Sequence, residues 1–406
     1  MKPDADAGAG TSGAPPWPAA AAGARAGAGE LASPAQRARW LAAARDVALG
    51  SLSSSGGALG LVAVGLLLPF LLGSFRLELV AKYLCLAFPA VGIVLLWGQT
   101  GILSLGQGLF FGMGGYFMAM FLKLEATTHA DSSQALAQFY GSSLPDFMVW
   151  NSVETLPWFW KPFQSLPLTL AAILIAPPLL AMATSYFPFR RRVGGVYFSI
   201  VTLALASVAS IVIIGQQGYT GGVNGITDFK SFAGMDLESR RVTWGLYYVT
   251  VALLVGVVLF GRAIMNSRLG KILRAVRDRE DRVRFSGYDP AMFKAAIFAV
   301  AALISAIGGA LFSLQVGLAS PSLVGIVPSV EMVICAAVGG RLSLVGGVVG
   351  TLLVYAAKTF FSEHFAQYWL YFIGALFILV VVFLPRGLAG ALEQLRVARA
   401  RRAAPA

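Results

Sequence analysis

The sequence predicts an all-α fold: a polytopic integral membrane protein with about ten transmembrane helices and both termini cytoplasmic. Three observations predict it. Of 406 residues, 57% are hydrophobic and only 12% are charged, whereas a soluble domain carries about 25% charged residues. The apolar residues fall in blocks long enough to cross a bilayer, which takes about 20 residues in helix. The basic residues collect in a few segments between these blocks. Backbone groups in lipid must be satisfied within the segment, so the blocks should be helices.

Taken in order, residues 1–55 are rich in Ala, Gly and Pro and have no apolar h-region of a signal peptide. They cannot bury enough surface to fold alone, so a largely disordered cytoplasmic extension is expected, with a short helix near Pro34–Leu49. The membrane domain follows at 56–390. Its candidate spans lie at 56–74, 79–97, 102–123, 166–187, 194–215, 244–264, 293–316, 328–340, 344–361 and 368–385. The eighth is short and ends at Gly339-Gly340, which suggests a tilted, broken or re-entrant helix. Residues 391–406 form a basic cytoplasmic tail.

The formal charge of +12 would suggest nucleic acid in a soluble protein. In a membrane protein the better reading is the excess of Lys and Arg in cytoplasmic loops, with no nucleic-acid partner. With ten spans, one side receives Arg190-Arg191-Arg192, the segment 265–292 and the tail with Arg386, Arg396, Arg399, Arg401 and Arg402. The other side has few basic residues: Arg76, Lys161, Lys230, Arg240 and Arg241. The asymmetry places both tails in the cytoplasm and leaves two long external loops, 125–165 and 216–243. The first holds Trp150, Trp158, Phe159 and Trp160, which fit either an aromatic belt at the membrane surface or a docking platform for an external partner.

In the third span Ser104, Gly108 and Gly112 are four apart and should share a helix face, with Gly115 close by. Small residues there let a neighbouring helix approach. Gly346 and Gly350 make a second such seam in the ninth span, and Ser104–Tyr116 faintly resembles Ser343–Tyr355, as an internal duplication would. Gln107 is a primary amide in an apolar span and should find a partner or line a wet path. Charges within spans are few. Glu78 and Lys82 are four apart, a favourable pairing order, and with Lys358 they lie near span ends where they can snorkel. Glu331 either reaches the interface or lines the pathway. Cys85 and Cys335 lie in apolar runs and read as buried thiols. His129 and His364 lie in expected loops, with no acidic cluster for a metal site.

The segment 265–292 carries Leu269, Ile272, Leu273 and Val276 at helical spacing, then Arg277-Asp-Arg-Glu-Asp-Arg282, with Gly287 and Pro290 as stops. Such an amphipathic helix can lie on the membrane or fit a groove on a soluble partner. Asp278, Glu280 and Asp281 disfavour anionic lipid and favour the partner. The sequence has no Gly-x-x-x-x-Gly-Lys-[Ser/Thr] loop, no His-Glu-x-x-His and no paired His or Cys at ligand spacing. No ATPase site of its own, no enzymatic activity, no cofactor and no metal are therefore expected.

The run Gly98–Tyr116 resembles the signature of permeases of the branched-chain amino acid and urea ABC uptake family. So do Gly218–Ile226, Ser267–Gly287, Ser329–Gly350 and Phe383–Gly390. Within the family the chain looks most like the second, larger urea permease subunit. Gln107 stands where amino acid permeases commonly carry His, and the loop Asp146–Phe163 is similar to the urea-type insertion. The long N-terminal extension and the Arg-rich 265–292 depart from the family pattern. The resemblance implies a bacterial inner-membrane location, multi-pass, and four kinds of partner: a homologous second permease subunit, two ATPase subunits, an extracytoplasmic substrate-binding protein and membrane lipid. It implies alternating access driven by the ATPases, which would contact the helix at Arg274, Ala275, Arg277, Asp278, Glu280 and Gly287. Urea would need a pathway of neutral donors and acceptors, for which Gln99, Ser104, Gln107, Thr202 and Asn224 are candidates by polarity and position. A branched-chain amino acid permease of the same architecture is the alternative. A secondary transporter or channel needing no ATP is a more distant one.

Overall fold

Close approaches at small residues decide which helices touch in this chain. The computed structural model describes residues 61–69 apart from 64, 74–128, 144–364 apart from 230 and 238, and isolated positions between 367 and 391. In chain order the helices are α1 (Ser74–Thr100), α2 (Gln107–Thr128), α3 (Asp146–Trp150), α4 (Leu166–Arg190), α5 (Gly195–Gly215), α6 (Gln217–Thr220), α7 (Arg240–Asn266), α8 (Arg268–Phe285), α9 (Pro290–Val316), α10 (Ile326–Gly339) and α11 (Leu344–His364). Seven of them, α1, α2, α4, α5, α7, α9 and α11, are long and apolar enough to cross a bilayer, and α10 is a shorter apolar helix. The fold is therefore the expected all-α, multi-pass one. The expected spans at 56–74 and 368–385 lie partly outside the described residues, and the helix near Pro34–Leu49 wholly so. Most of the basic tail also falls outside them. The described part of the first span, 61–63 and 65–69, is helical and meets α7, where Tyr247 donates to the Gly65 carbonyl at 3.0 Å.

Helix α9 sits at the centre, packed against α1, α2 and α4. It is buried along nearly its whole length from Ala295 to Leu314. Its backbone touches that of its neighbours. A side chain at Gly309 would put a carbon 1.8 Å from the Phe111 carbonyl oxygen, and one at Gly114 would lie 1.9 Å from that of Ala306. Gly308 fits against Phe88, and Gly92 against Ala301. Such contact maximises van der Waals packing where lipid removes the hydrophobic drive between helices. By contrast α4, α5 and α7 turn most of their apolar side chains outward; Leu174, Leu179, Ile211 and Phe260 are all exposed.

The pairings fix directions. Gln107 meets Ser305 and Gly115 meets Ser313, so α2 and α9 run parallel. Helices α10 and α11 form an antiparallel hairpin closed at Gly339, Gly346 and Gly350, whose backbones touch. One end of the bundle, here the basic end, gathers Arg190, α8 and the start of α9. Four two-residue strands lie among the described residues at or near the far end: β1 (Ile226–Thr227), β2 (Ser231–Phe232), β3 (Met235–Asp236) and β4 (Leu318–Ala319). β1 pairs antiparallel with β4, and β2 with β3.

Three expectations are corrected. The third span does not begin at 102: Gly101 (φ +74) ends α1, residues 101–106 are non-helical, and α2 starts at Gln107. Ser104 therefore precedes the helix and shares no helix face with Gly108 and Gly112. Such backbone is tolerated at membrane depth only when buried in protein, and here side chains satisfy it. Leu105 N–H donates to Thr202 Oγ1 at 3.1 Å, Ser199 donates to the Leu103 carbonyl at 2.6 Å, and Ile102 N–H donates to Thr100 Oγ1 at 3.2 Å. Second, Glu331 and Lys358, read separately in the sequence, form an ion pair between α10 and α11. Lys358 Nζ lies 2.8 and 2.9 Å from the two Glu331 oxygens, and Tyr355 donates to Glu331 at 3.3 Å. Glu78 and Lys82 form no ion pair; Lys82 lies 6.0 Å over the Phe312 ring. Third, His364 lies within α11, its Nδ1 2.9 Å from the Phe360 carbonyl, because the helix runs past the expected end at 361. His129 lies outside the described residues.

Candidate functional site

Two chain breaks meet inside the bundle. Residues 101–106 rise from the basic end and start α2 alongside Ser305, which lies roughly 22 Å along α9 at 1.5 Å per residue. From the far end, residues 317–325 descend to start α10, whose 14 residues cover only about 21 Å, short of the ~30 Å of hydrocarbon. The two helix starts touch. Gly108 N–H donates to Ser329 Oγ at 3.2 Å. A side chain at Gly108 would collide with that hydroxyl at 2.5 Å, and one at Gly112 with Val324 at 2.2 Å.

Around this junction stand neutral polar groups. Gln107 is fully buried. Ser305 Oγ lies 2.8 Å from Gln107 Oε1 and 2.9 Å from the Ala301 carbonyl; its one hydrogen serves either acceptor. Gln107 Nε2 is buried with no protein partner. Ser104, also buried, accepts from Gly106 N–H at 3.3 Å, and Thr202 donates to the Ser199 carbonyl at 2.9 Å. Gly106 is held so close to α5 that a side chain would sit 2.4 Å from the Thr202 carbonyl oxygen. One turn further along α2, the space between Phe111, Tyr116, Phe312 and Ser320 has no room for a water-sized molecule. The Tyr116 hydroxyl there is buried without a partner.

The structure thus brings Ser104, Gln107 and Thr202 together and adds Ser305, Ser329 and Ser199, which sequence reasoning missed. The signal for Ser305 was its spacing from Ser313: eight residues apart on α9, both facing α2. Gln99 is elsewhere, buried in the last turns of α1, with Oε1 unpartnered. Asn224 is not at the site at all. It occupies an exposed turn just before β1, where Gly225 (φ +72) lies against the Ala319 backbone of β4. Glu331 lies two residues beyond Ser329, with its charge compensated by Lys358. Gly115 lies against Ser313 and Gly309 of α9.

The basic end carries α8. Ser267 caps it, accepting from Gly270 N–H at 3.4 Å, and Leu273, Val276 and Val283 are buried beneath it. Ala275, Asp278 and Gly287 are exposed, Arg274 is half-buried, and Arg277 Nη1 reaches the Gly98 carbonyl at 2.7 Å. Glu280 lies 2.5 Å from Lys294 and 3.3 Å from Arg284. At the far end, buried Lys123 pairs with Asp146 at 2.9 Å and donates to the Thr227 carbonyl at 3.1 Å. Trp160 Nε1 donates to the Tyr219 carbonyl at 3.0 Å. These bonds hold the described parts of both long loops against α2 and each other, while Trp150 and Trp158 stay exposed.

Spanning helices with broken helices meeting inside the bundle are an arrangement common among membrane transporters. Residues 75–381 match the family described as the branched-chain amino acid transport system, permease component, and the chain belongs to that family. It is 22% identical over 353 residues to the high-affinity branched-chain amino acid transport system permease protein LivM of Salmonella typhimurium, covering 81% of this chain and 73% of that protein. It is 23% identical to LivM of Escherichia coli, covering 79% and 71%. It is 25% identical to the permease protein BraD of Pseudomonas aeruginosa, covering 75% and 91%. No solved structure matches the chain.

Proposed function

We propose that this chain is the transmembrane subunit of an ATP-driven importer for a small nitrogen-containing solute, working in a bacterial inner membrane with the basic end in the cytoplasm. The observation that carries this is the meeting of the α2 and α10 starts around a buried, unpartnered Gln107 amide. Half-helix starts inside a bundle are where transporters hold their solutes. The partners follow from the surfaces. Helix α8 presents exposed Ala275, Asp278 and Phe285 at the basic end for an ATPase subunit. The exposed Trp150 and Trp158 offer a platform for an external binding protein. The outward faces of α4, α5 and α7 suit lipid and a second permease subunit.

For the solute, the relatives named above are branched-chain amino acid permeases, and a branched-chain amino acid is the reading they support. Urea is a second reading, favoured by one observation. The polar side chains named at the junction (Ser104, Gln107, Ser199, Thr202, Ser305, Ser329) are neutral, and Glu331, two residues beyond Ser329, is already paired with Lys358. Such a lining suits a neutral, hydrogen-bonding solute better than a zwitterion. Uptake of labelled leucine and of labelled urea at micromolar concentration, in cells with and without the gene and with the other solute as competitor, separates them. Gene-dependent leucine uptake that ignores urea assigns the amino acid. Gene-dependent urea uptake that ignores leucine assigns urea.

A further inference from the structure

The neutral junction leaves the two charges of an amino acid without partners, and another side of α10 carries groups that match them. We propose that Lys82, Lys358 and Glu331 form a site for a zwitterionic amino acid, in which the two lysines hold its carboxylate and Glu331 its ammonium group. This rests on the importer reading and deepens it, by giving an amino acid solute a charged station beside the junction.

Three helices build the site. Ser329 of α10 meets α2, whereas Glu331, two residues on, turns to α11. Glu331 is buried, with Lys358 on both of its oxygens and the Tyr355 hydroxyl on one of them. Tyr83 of α1 stacks on Tyr355, ring centroids 5.9 Å apart, and hydrogen-bonds Thr359, which brings α1 against the pair. The residue before it, Lys82, comes close enough to Lys358 for the two charges to repel. Lys82 faces Phe312, seven residues beyond Ser305 on α9, and so lies about 10 Å nearer the far end than the junction. With the far end outside, an incoming solute meets the charged site first.

The charges do not balance. Among the described residues Lys82 has no carboxylate within ion-pair distance. Glu78, one turn earlier on α1, is exposed and makes no ion pair with it. The sequence places no Asp or Glu at 56–73 or 365–391. Two lysines thus share one glutamate at membrane depth, where an uncompensated cation is costly and an aromatic face offsets it only in part. A carboxylate between Lys82 and Lys358 removes their repulsion. Glu331 keeps Tyr355 and has lone pairs for an ammonium group beside Lys358. Lys82 is half-buried and the Lys358 side chain 28% exposed, so both ammonium groups can be reached. Urea, with neither charge, gains nothing here.

The test reads binding rather than transport, on the purified complex of this chain with its partner permease and ATPases. A ligand that binds the folded state raises the melting temperature. Millimolar leucine should raise it, and leucinamide, which lacks the carboxylate, should not. In K82M the half-saturating leucine concentration should rise about tenfold, the scale of one charge-assisted hydrogen bond. The ligand-free melting temperature should stay the same, since no partner is stranded, and K82R should restore most of the leucine effect. An equal leucine shift in K82M, an equal shift from leucinamide, or no leucine shift in the unaltered complex overturns the site. Stabilisation by phosphatidylglycerol that depends on Lys82, with none from leucine, assigns the lysines to a lipid headgroup and overturns it as well. Should K82M fail to assemble, E331M/K358M decides by the same titration. Uptake without ATP by the unaltered complex would sink the importer reading itself, whereas ATP-driven uptake with leucine binding indifferent to Lys82 sinks only this site.

Discussion

Gln107 is the residue on which the transport reading turns. An amide nitrogen buried without a partner costs stability, and a solute acceptor would satisfy it. Replacing Gln107 with Leu removes that donor and keeps the approximate volume, so the expected loss in uptake is roughly threefold to tenfold, the worth of one hydrogen bond. Membrane abundance, read by immunoblot, should stay unchanged. Normal uptake by Q107L would remove the residue from the pathway. Glu331 and Lys358 make a different case. Glu331 is buried and Lys358 partly exposed, so removing one partner should cost less than the about 3–5 kcal/mol of a fully buried pair, while replacing both with apolar groups is often neutral. E331M should therefore lower the melting temperature of the purified protein, and E331M/K358M should recover most of it. An equally unstable double variant would show that the pair matters for more than its charge.

At the scale of elements, the seam between α2 and α9 sets the shape. A methyl at Gly309 has nowhere to go against the Phe111 carbonyl, so G309A should destabilise by about 1–3 kcal/mol, the usual cost of overpacking. Gly256 in α7 has nothing within 4 Å of an added carbon. There G256A should be neutral or stabilise by up to about 1 kcal/mol through helix propensity. Thermal unfolding in detergent compares the two, and similar effects would mean the seam is not tight. These long helices were legible in the sequence because apolar run length is what a bilayer selects. The break at 101–106 was not. Ile102, Leu103 and Leu105 continue the apolar run across it, and hydropathy does not report backbone geometry. Only the glycines at 98, 101 and 106 hinted at it. Asn224 shows the converse error: polarity marked it as a candidate, but polarity carries no information on depth. Ser305 went unnoticed because its partner, Gln107, lies 198 residues away.

Over the whole molecule, the two ends are joined through the same inner helices. Lys123 and Asp146 hold the far-end loops on α2, Arg277 holds the basic end on α1, and the junction lies between. Family membership and the exposed surface of α8 fit a permease that works with partner subunits. The most direct measurement is accumulation of labelled leucine and labelled urea by proteoliposomes holding the complete complex, with ATP inside or outside the vesicle so that only one orientation is driven. The account predicts that one of the two solutes accumulates above its external concentration only when ATP is present at the α8 face, and that Q107L weakens this accumulation. Equal uptake with and without ATP, or uptake indifferent to Q107L, would contradict it.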